Sequence, residues 1–165
     1  MRAKLGLADP TAGRDAAEDA DADPDGDRAL LDDLLRTMHE QGADHTNTYR
    51  ALSSVVRGDD RALRDQLRDR SSLDAWLERY AERRATDPRS ADDVAAAMDR
   101  VNPRYVPRNH LVDEALVAAT AGDLGAVRRL LDVVARPFDD RPGLEAYALP
   151  APPEFGDGFQ TFCGT

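Results

Sequence analysis

The sequence predicts an all-α protein, and three observations carry that prediction. Apolar residues recur at i, i+3, i+4 and i+7 in one segment after another, the period of a helix with one buried face. Most segments open on a residue able to cap a helix, and glycine or proline closes them. Period-2 alternation, the mark of a half-buried strand, is nowhere sustained. The expected architecture is a bundle of about six to seven short helices over residues 28–136. An N-terminal segment and acidic linker (residues 1–27) precede it, and an extended Pro/aromatic tail (residues 137–165) follows.

The linker, ADPTAGRDAAEDADADPDGD up to Asp27, has no large apolar side chain and cannot bury enough surface to offset its ordering entropy. Asp27 can cap a first helix bearing Leu30, Leu31, Leu34, Leu35 and Met38, stopped at Gly42. Asp44 can cap a second, with Tyr49, Leu52 and Val56 inward and Gly58 at its end. A third piece carries Leu63 and Leu67. Ser71 or Ser72 opens the strongest pattern, Leu73, Trp76, Leu77 and Tyr80, which Pro88 ends. Ser90-Ala91-Asp92-Asp93 resembles a capping box with Asp in place of Glu, leading into Val94, Met98 and Val101.

Pro107 suits the first turn of the next helix, where its missing N–H is not needed. That helix presents Val112, Ala115, Leu116 and Ala119 and stops at Gly122. Asp123 can cap a last helix with Val127, Leu130, Leu131 and Val134 inward, ended before Pro137. The tail carries Pro137, Pro142, Pro150, Pro152 and Pro153, with Phe138, Tyr147, Phe155, Phe159 and Phe162 spaced along it. Those aromatics read as anchors for an extended segment lying on another surface.

A formal net charge of -10 excludes a basic nucleic-acid-binding face. Arginine supplies nearly all the positive charge, since Lys4 is the only lysine. No apolar run reaches the roughly 20 residues of a membrane span, and no signal peptide opens the chain, so a cytoplasmic protein is expected. A single cysteine, Cys163, cannot form an internal disulfide.

Few residues offer chemistry. Asp21, Asp23, Asp25, Gly26 and Asp32 match positions 1, 3, 5, 6 and 12 of an EF-hand-type calcium loop. No apolar helix precedes them and Arg28 sits badly, so an acidic linker is the better reading. His39, His45 and His110 lack metal-ligand spacing. The phosphate loops GxGxxG and GxxxxGK[ST] are absent. Arg104 and Arg108 flank Tyr105 beside a helix start and could hold an anion, but a salt-bridged hinge between helices fits the same residues better. Cys163, near the terminus among aromatics, is either a passive thiol or a redox residue.

The stretch Met98-Asp99-Arg100-Val101-Asn102-Pro103-Arg104-Tyr105-Val106-Pro107-Arg108-Asn109-His110-Leu111 resembles the MxxVNPRYVLRNxL block of the selenoprotein O family. Ala121-Gly122-Asp123, Val127, Leu130-Leu131 and Pro137 follow in that family's order. Pro142, Tyr147 and Pro152-Pro153-Glu154-Phe155 are similar to its P…YA…PPEW stretch, and Cys163 stands third from the end as in its members. Residues 1–7 and 44–52 also look familial. Pro107, Phe155 and Gly164-Thr165 depart from the pattern.

The resemblance implies a kinase-like protein that binds ATP inverted, uses magnesium and transfers AMP to protein Ser, Thr or Tyr hydroxyls, with a redox-sensitive terminal residue. It also implies that the nucleotide-binding and catalytic residues lie in a portion preceding this segment. This chain is then expected to be the C-terminal helical part, binding no cofactor alone and inactive alone. Its partners would be the missing N-terminal kinase-like portion and that enzyme's protein substrates. Cys163 is the candidate redox residue, and Asn102, Pro103, Arg104, Tyr105, Arg108 and Asn109 form the signature, structural or anion-contacting. The competing reading is a free-standing helical interaction module, because residues 107–136 look like one ankyrin-like hairpin. Helical repeats need about three stacked copies, and no second copy is present.

Overall fold

Asp44 and Ser90 cap the helices that the sequence assigns them. The Asp44 carboxylate accepts from the Asn47 backbone N–H at 2.8 Å, and the Ser90 hydroxyl accepts from that of Asp93 at 3.1 Å. The reciprocal half of the capping box differs. The short Asp93 carboxylate accepts a hydrogen bond from the Ser90 hydroxyl at 2.7 Å instead of reaching the cap's own N–H, as a longer Glu would.

A computed structural model describes residues 1–7, 24–157 and 159. Among the described residues it contains seven α-helices and no strand: α1 (Pro24–Gln41), α2 (His45–Val56), α3 (Arg61–Arg64), α4 (Asp74–Ala85), α5 (Ala91–Asp99), α6 (Asn109–Thr120) and α7 (Gly125–Val134). Short 3-10 turns lie at Arg2–Leu5, Glu145–Ala148 and Pro153–Asp157. None of the described helices is long and apolar enough to cross a membrane. The chain divides into two compact units, Met1–Pro103 and Arg104–Thr165.

In the first unit α2 packs on α5, and α1 on α4. The side chains chosen by period form its core: Leu34, Met38, Tyr49, Leu52, Leu63, Leu73, Trp76, Tyr80, Val94 and Met98 are buried together. Each large apolar side chain so placed contributes about 1.5–3 kcal/mol. Two buried aromatics also satisfy their polar atoms, since Trp76 Nε1 donates to the Leu30 carbonyl at 2.8 Å and the Tyr80 hydroxyl to the Leu5 carbonyl at 2.7 Å. The second unit is an α6–α7 hairpin with residues 137–148 folded against it, and Tyr105, Val133 and Ala148 are buried in its small cluster.

Several boundaries and faces differ from expectation. Helix α1 starts at Pro24, which fits a first turn, and not at Asp27. Residues 26–32 are therefore helical, with Arg28 and Asp32 paired one turn apart. The acidic residues 8–23, including Asp21 and Asp23, lie outside the described residues. Helix α6 begins at Asn109, because Arg108 at ψ 131° is extended and leaves Pro107 ahead of the helix. Val101, beyond the end of α5, is exposed. Leu116 and Leu131, expected inward, are exposed, while Ala115 and Val133 take the inner positions. Phe138 is likewise exposed. Phe155 packs its ring edge on His110 at 5.9 Å and lies 4.6 Å from Phe159.

Candidate functional site

Residues 1–7 run as a strap across the helices of the first unit, and their backbone carbonyls are gripped by side chains from three directions. Asn102 Nδ2 donates to the Lys4 carbonyl at 2.9 Å. Tyr80 holds the Leu5 carbonyl from α4. Arg84 Nη1 and Arg89 Nη2 both donate to the Gly6 carbonyl, at 3.1 and 2.8 Å. Hydrogen bonds from charged donors contribute about 1.5–3 kcal/mol each, so two on one oxygen make Gly6 the firmest point of the strap. The Asp87 carboxylate, its side chain 4% exposed, lies 2.5 Å from Arg89 and 3.6 Å from Arg84. The Arg89 hydrogen bonds hold its carboxyl below the usual range despite burial.

Gly6 itself is at φ 71°, the left-handed region that glycine adopts without steric cost. A Cβ there would come 2.5 Å from Met98 Sδ and 2.8 Å from Val94 Cγ1, so the strap crosses α5 at a point with no room for a side chain.

Asn102 is the hinge pin of this arrangement. It is 1% exposed, its N–H donates to the Met98 carbonyl at 2.8 Å, and its Oδ1 accepts from Lys4 Nζ at 3.5 Å. Arg50, reaching from α2, donates to the carbonyls of Asp99 at 2.8 Å and Asn102 at 3.1 Å and pairs with the Asp99 carboxylate. A cation here closes orphan carbonyls at the negative end of α5. Pro103, half-buried, ends the unit.

The signature continues in the second unit. The N–H groups of Arg104 and Tyr105 both donate to the Pro137 carbonyl, at 2.6 and 3.0 Å. Tyr105 is buried, and its hydroxyl exchanges hydrogen bonds of 3.3 Å with the backbone of Arg141. The Arg141 guanidinium lies 5.7 Å from the Tyr105 ring centre and donates to the carbonyls of Asp132 and Val133 near the end of α7. Arg108 Nη2 donates to the Ala148 carbonyl at 3.0 Å and ties down the tail. Arg104 sits 3.7 Å from the exposed Asp140 carboxylate, and Asn109 is the exposed first residue of α6. Cys163, the candidate redox residue, lies outside the described residues.

The structure therefore brings Asn102 together with the strap, and Tyr105 and Arg108 together with the tail, with the division between the units falling at Pro103 and Arg104. Sequence reasoning gave Asp27 the role of a helix cap and not the one it has. Its carboxylate, 2% exposed, takes Arg2 Nε at 2.8 Å and Arg83 Nε at 2.7 Å, fastening the strap to α1 and α4. No local signal marks its pairing with Arg2 and Arg83, which are distant in sequence. Arg50 was findable, since it falls in the familial-looking residues 44–52.

Comparison with known proteins assigns the family: the one described as protein adenylyltransferase SelO matches residues 1–135, from the strap through α7. The chain belongs to the SelO family. Curated relatives agree. A protein nucleotidyltransferase YdiU of Rhodococcus jostii is 47% identical over 165 residues, which is 100% of this chain and 29% of that protein. One from Mycolicibacterium paratuberculosis is 46% identical over 169 residues, again 100% of this chain and 30% of the relative. One from Bordetella avium is 48% identical over 139 residues, 84% of this chain and 28% of the relative. The chain thus spans less than a third of the length of these SelO-family relatives. The strap lies inside the matched region.

Proposed function

We propose that this chain is the C-terminal helical part of a protein adenylyltransferase that moves AMP from ATP to Ser, Thr or Tyr hydroxyls of proteins, releasing pyrophosphate. It acts in the cytoplasm with an N-terminal kinase-like portion that binds ATP and magnesium, and it is inactive alone. Family membership gives the coarse activity, protein nucleotidyl transfer. The observation that carries the division of labour is what the signature's polar groups touch. Asn102 and Arg108 are engaged with backbone carbonyls, and Tyr105 with the backbone of Arg141.

In this reading ATP and magnesium are held by the N-terminal kinase-like portion and not by this chain. The sequence has no Gly-rich phosphate loop, and among the described residues no group of three or more His, Cys, Asp or Glu could hold a metal ion. In this reading the chain's own contribution is mechanical: it fixes the strap and supports the catalytic portion. Cys163 adds a redox latch. Its thiol and a thiol of the catalytic portion join in a disulfide, giving two electrons to a disulfide oxidant such as oxidised glutathione.

A chimera tests the proposal. The Rhodococcus jostii relative, with its aligned segment replaced by these 165 residues, should transfer label from α-phosphate-labelled ATP to protein when magnesium is supplied, and the chain alone should not. Label transfer by the chain alone contradicts the division of labour. A chimera that is folded but inert, beside an active parent, contradicts the assignment of this chain as a working part.

A further inference from the structure

The α6–α7 hairpin carries more apolar surface than its own unit covers. At 100° per residue the apolar side chains of α7 and its cap span about half the helix circumference, from Val133 and Leu130 round to Leu131 and Leu124. The stripe is partly covered from Val133 through Leu130 and Val134 to Val127, and its other edge is open. Val133 is buried, Leu130 is half-buried, and Leu131 and Leu124, two turns apart on the same side, are 60% and 49% exposed. Leu116 on α6 lies beyond its helix's buried residue Ala115 in the same way and is 57% exposed.

The first unit does not behave so. Its apolar stripes are covered, and its exposed large hydrophobics are confined to Met1 and Val101. Scattered leucines are ordinary on a protein surface, but a ridge on the strongest amphipathic helix of a small unit marks a contact.

What covers it follows from length. Relatives that match this chain over its full extent devote only 29–30% of themselves to it. More than two thirds of each such protein therefore lies elsewhere and is available to pack here. We propose that the Leu124–Leu131 ridge of α7, with Leu116 of α6, is the surface on which the remainder of the longer protein docks. This rests on the proposed function only in requiring that such a remainder belongs with this chain. It goes further by naming the second unit as the seat of docking.

Cysteine accessibility tests it. L131C and L124C are placed in this chain carrying C163S. Cysteines at the aligned positions are placed in the full-length Rhodococcus jostii relative without other reactive thiols. E82C, on the exposed side of α4, is the control in both. Maleimide labelling at positions 131 and 124 should be at least tenfold slower in the full-length protein than in this chain, with the control unchanged. Cross-links from position 131 should map to residues outside the aligned segment. Equal labelling in both proteins overturns the inference. So does protection in this chain that grows with its concentration, which would put a second copy on the ridge, and so do cross-links confined to the aligned segment. AMP transfer by the full-length protein is read separately. A protected ridge on an inactive enzyme would sink the proposed function alone, and an active enzyme with a freely labelled ridge would sink this inference alone.

Discussion

Gly6 and Asp87 decide how firmly the strap is held. Replacing Gly6 by Ala adds a Cβ that meets Met98 Sδ and Val94 Cγ1 and must adopt a left-handed backbone conformation. Overpacking costs about 1–3 kcal/mol and the backbone about 1 kcal/mol more. G6A should therefore lower the melting temperature by roughly 10 °C or more, measured by circular dichroism, given about 4–8 °C per kcal/mol for a domain of this size. Asp87 adds a pH dependence. Its folded carboxyl is held below its ordinary value, chiefly by the Arg89 hydrogen bond, so the unfolded chain takes up its proton first on acidification. The stabilisation is present in full above the unfolded value of about 4 and is lost as pH falls through the folded value. D87N should lower the melting temperature near neutral pH and flatten its decline below about pH 4.

At the scale of elements, the helices depend on a few caps and on the α2–α5 contact. S90A removes the bond to the Asp93 N–H and should cost about 1 kcal/mol. L52A empties a fully buried site on α2 and should cost about 2–5 kcal/mol, measured by urea denaturation. These elements were legible because their signals are local. Caps act within one turn, a stop such as Gly42 at φ 66° depends on its own backbone, and the stripe containing Trp76 and Tyr80 repeats with the helical period. What could not be read depends on partners distant in sequence. Asp27 is distinguished from its acidic neighbours only by Arg2 and Arg83, and the strap's Leu5 and Gly6 carbonyls are held by residues more than seventy positions away. Leu116 and Leu131 misled because periodicity marks an apolar face without saying whether this chain supplies its cover. The signature was found from sequence, but which of its polar groups meet backbone carbonyls required the fold.

Across the whole molecule, a SelO-family chain of 165 residues presents one well-filled helical unit and one sparsely filled unit, with the family's signature running from one to the other. N102A should release the Lys4 carbonyl, and trypsin should then cut after Lys4 several-fold faster than in the wild type. Under the proposed function this chain serves as a support and holds no nucleotide, its signature residues Asn102, Tyr105 and Arg108 being engaged with its own backbone. Titration of the isolated chain with magnesium ATP, followed by calorimetry, tests that most directly. No saturable heat is expected up to millimolar nucleotide. Saturable binding that disappears in R104A or R108A would contradict it.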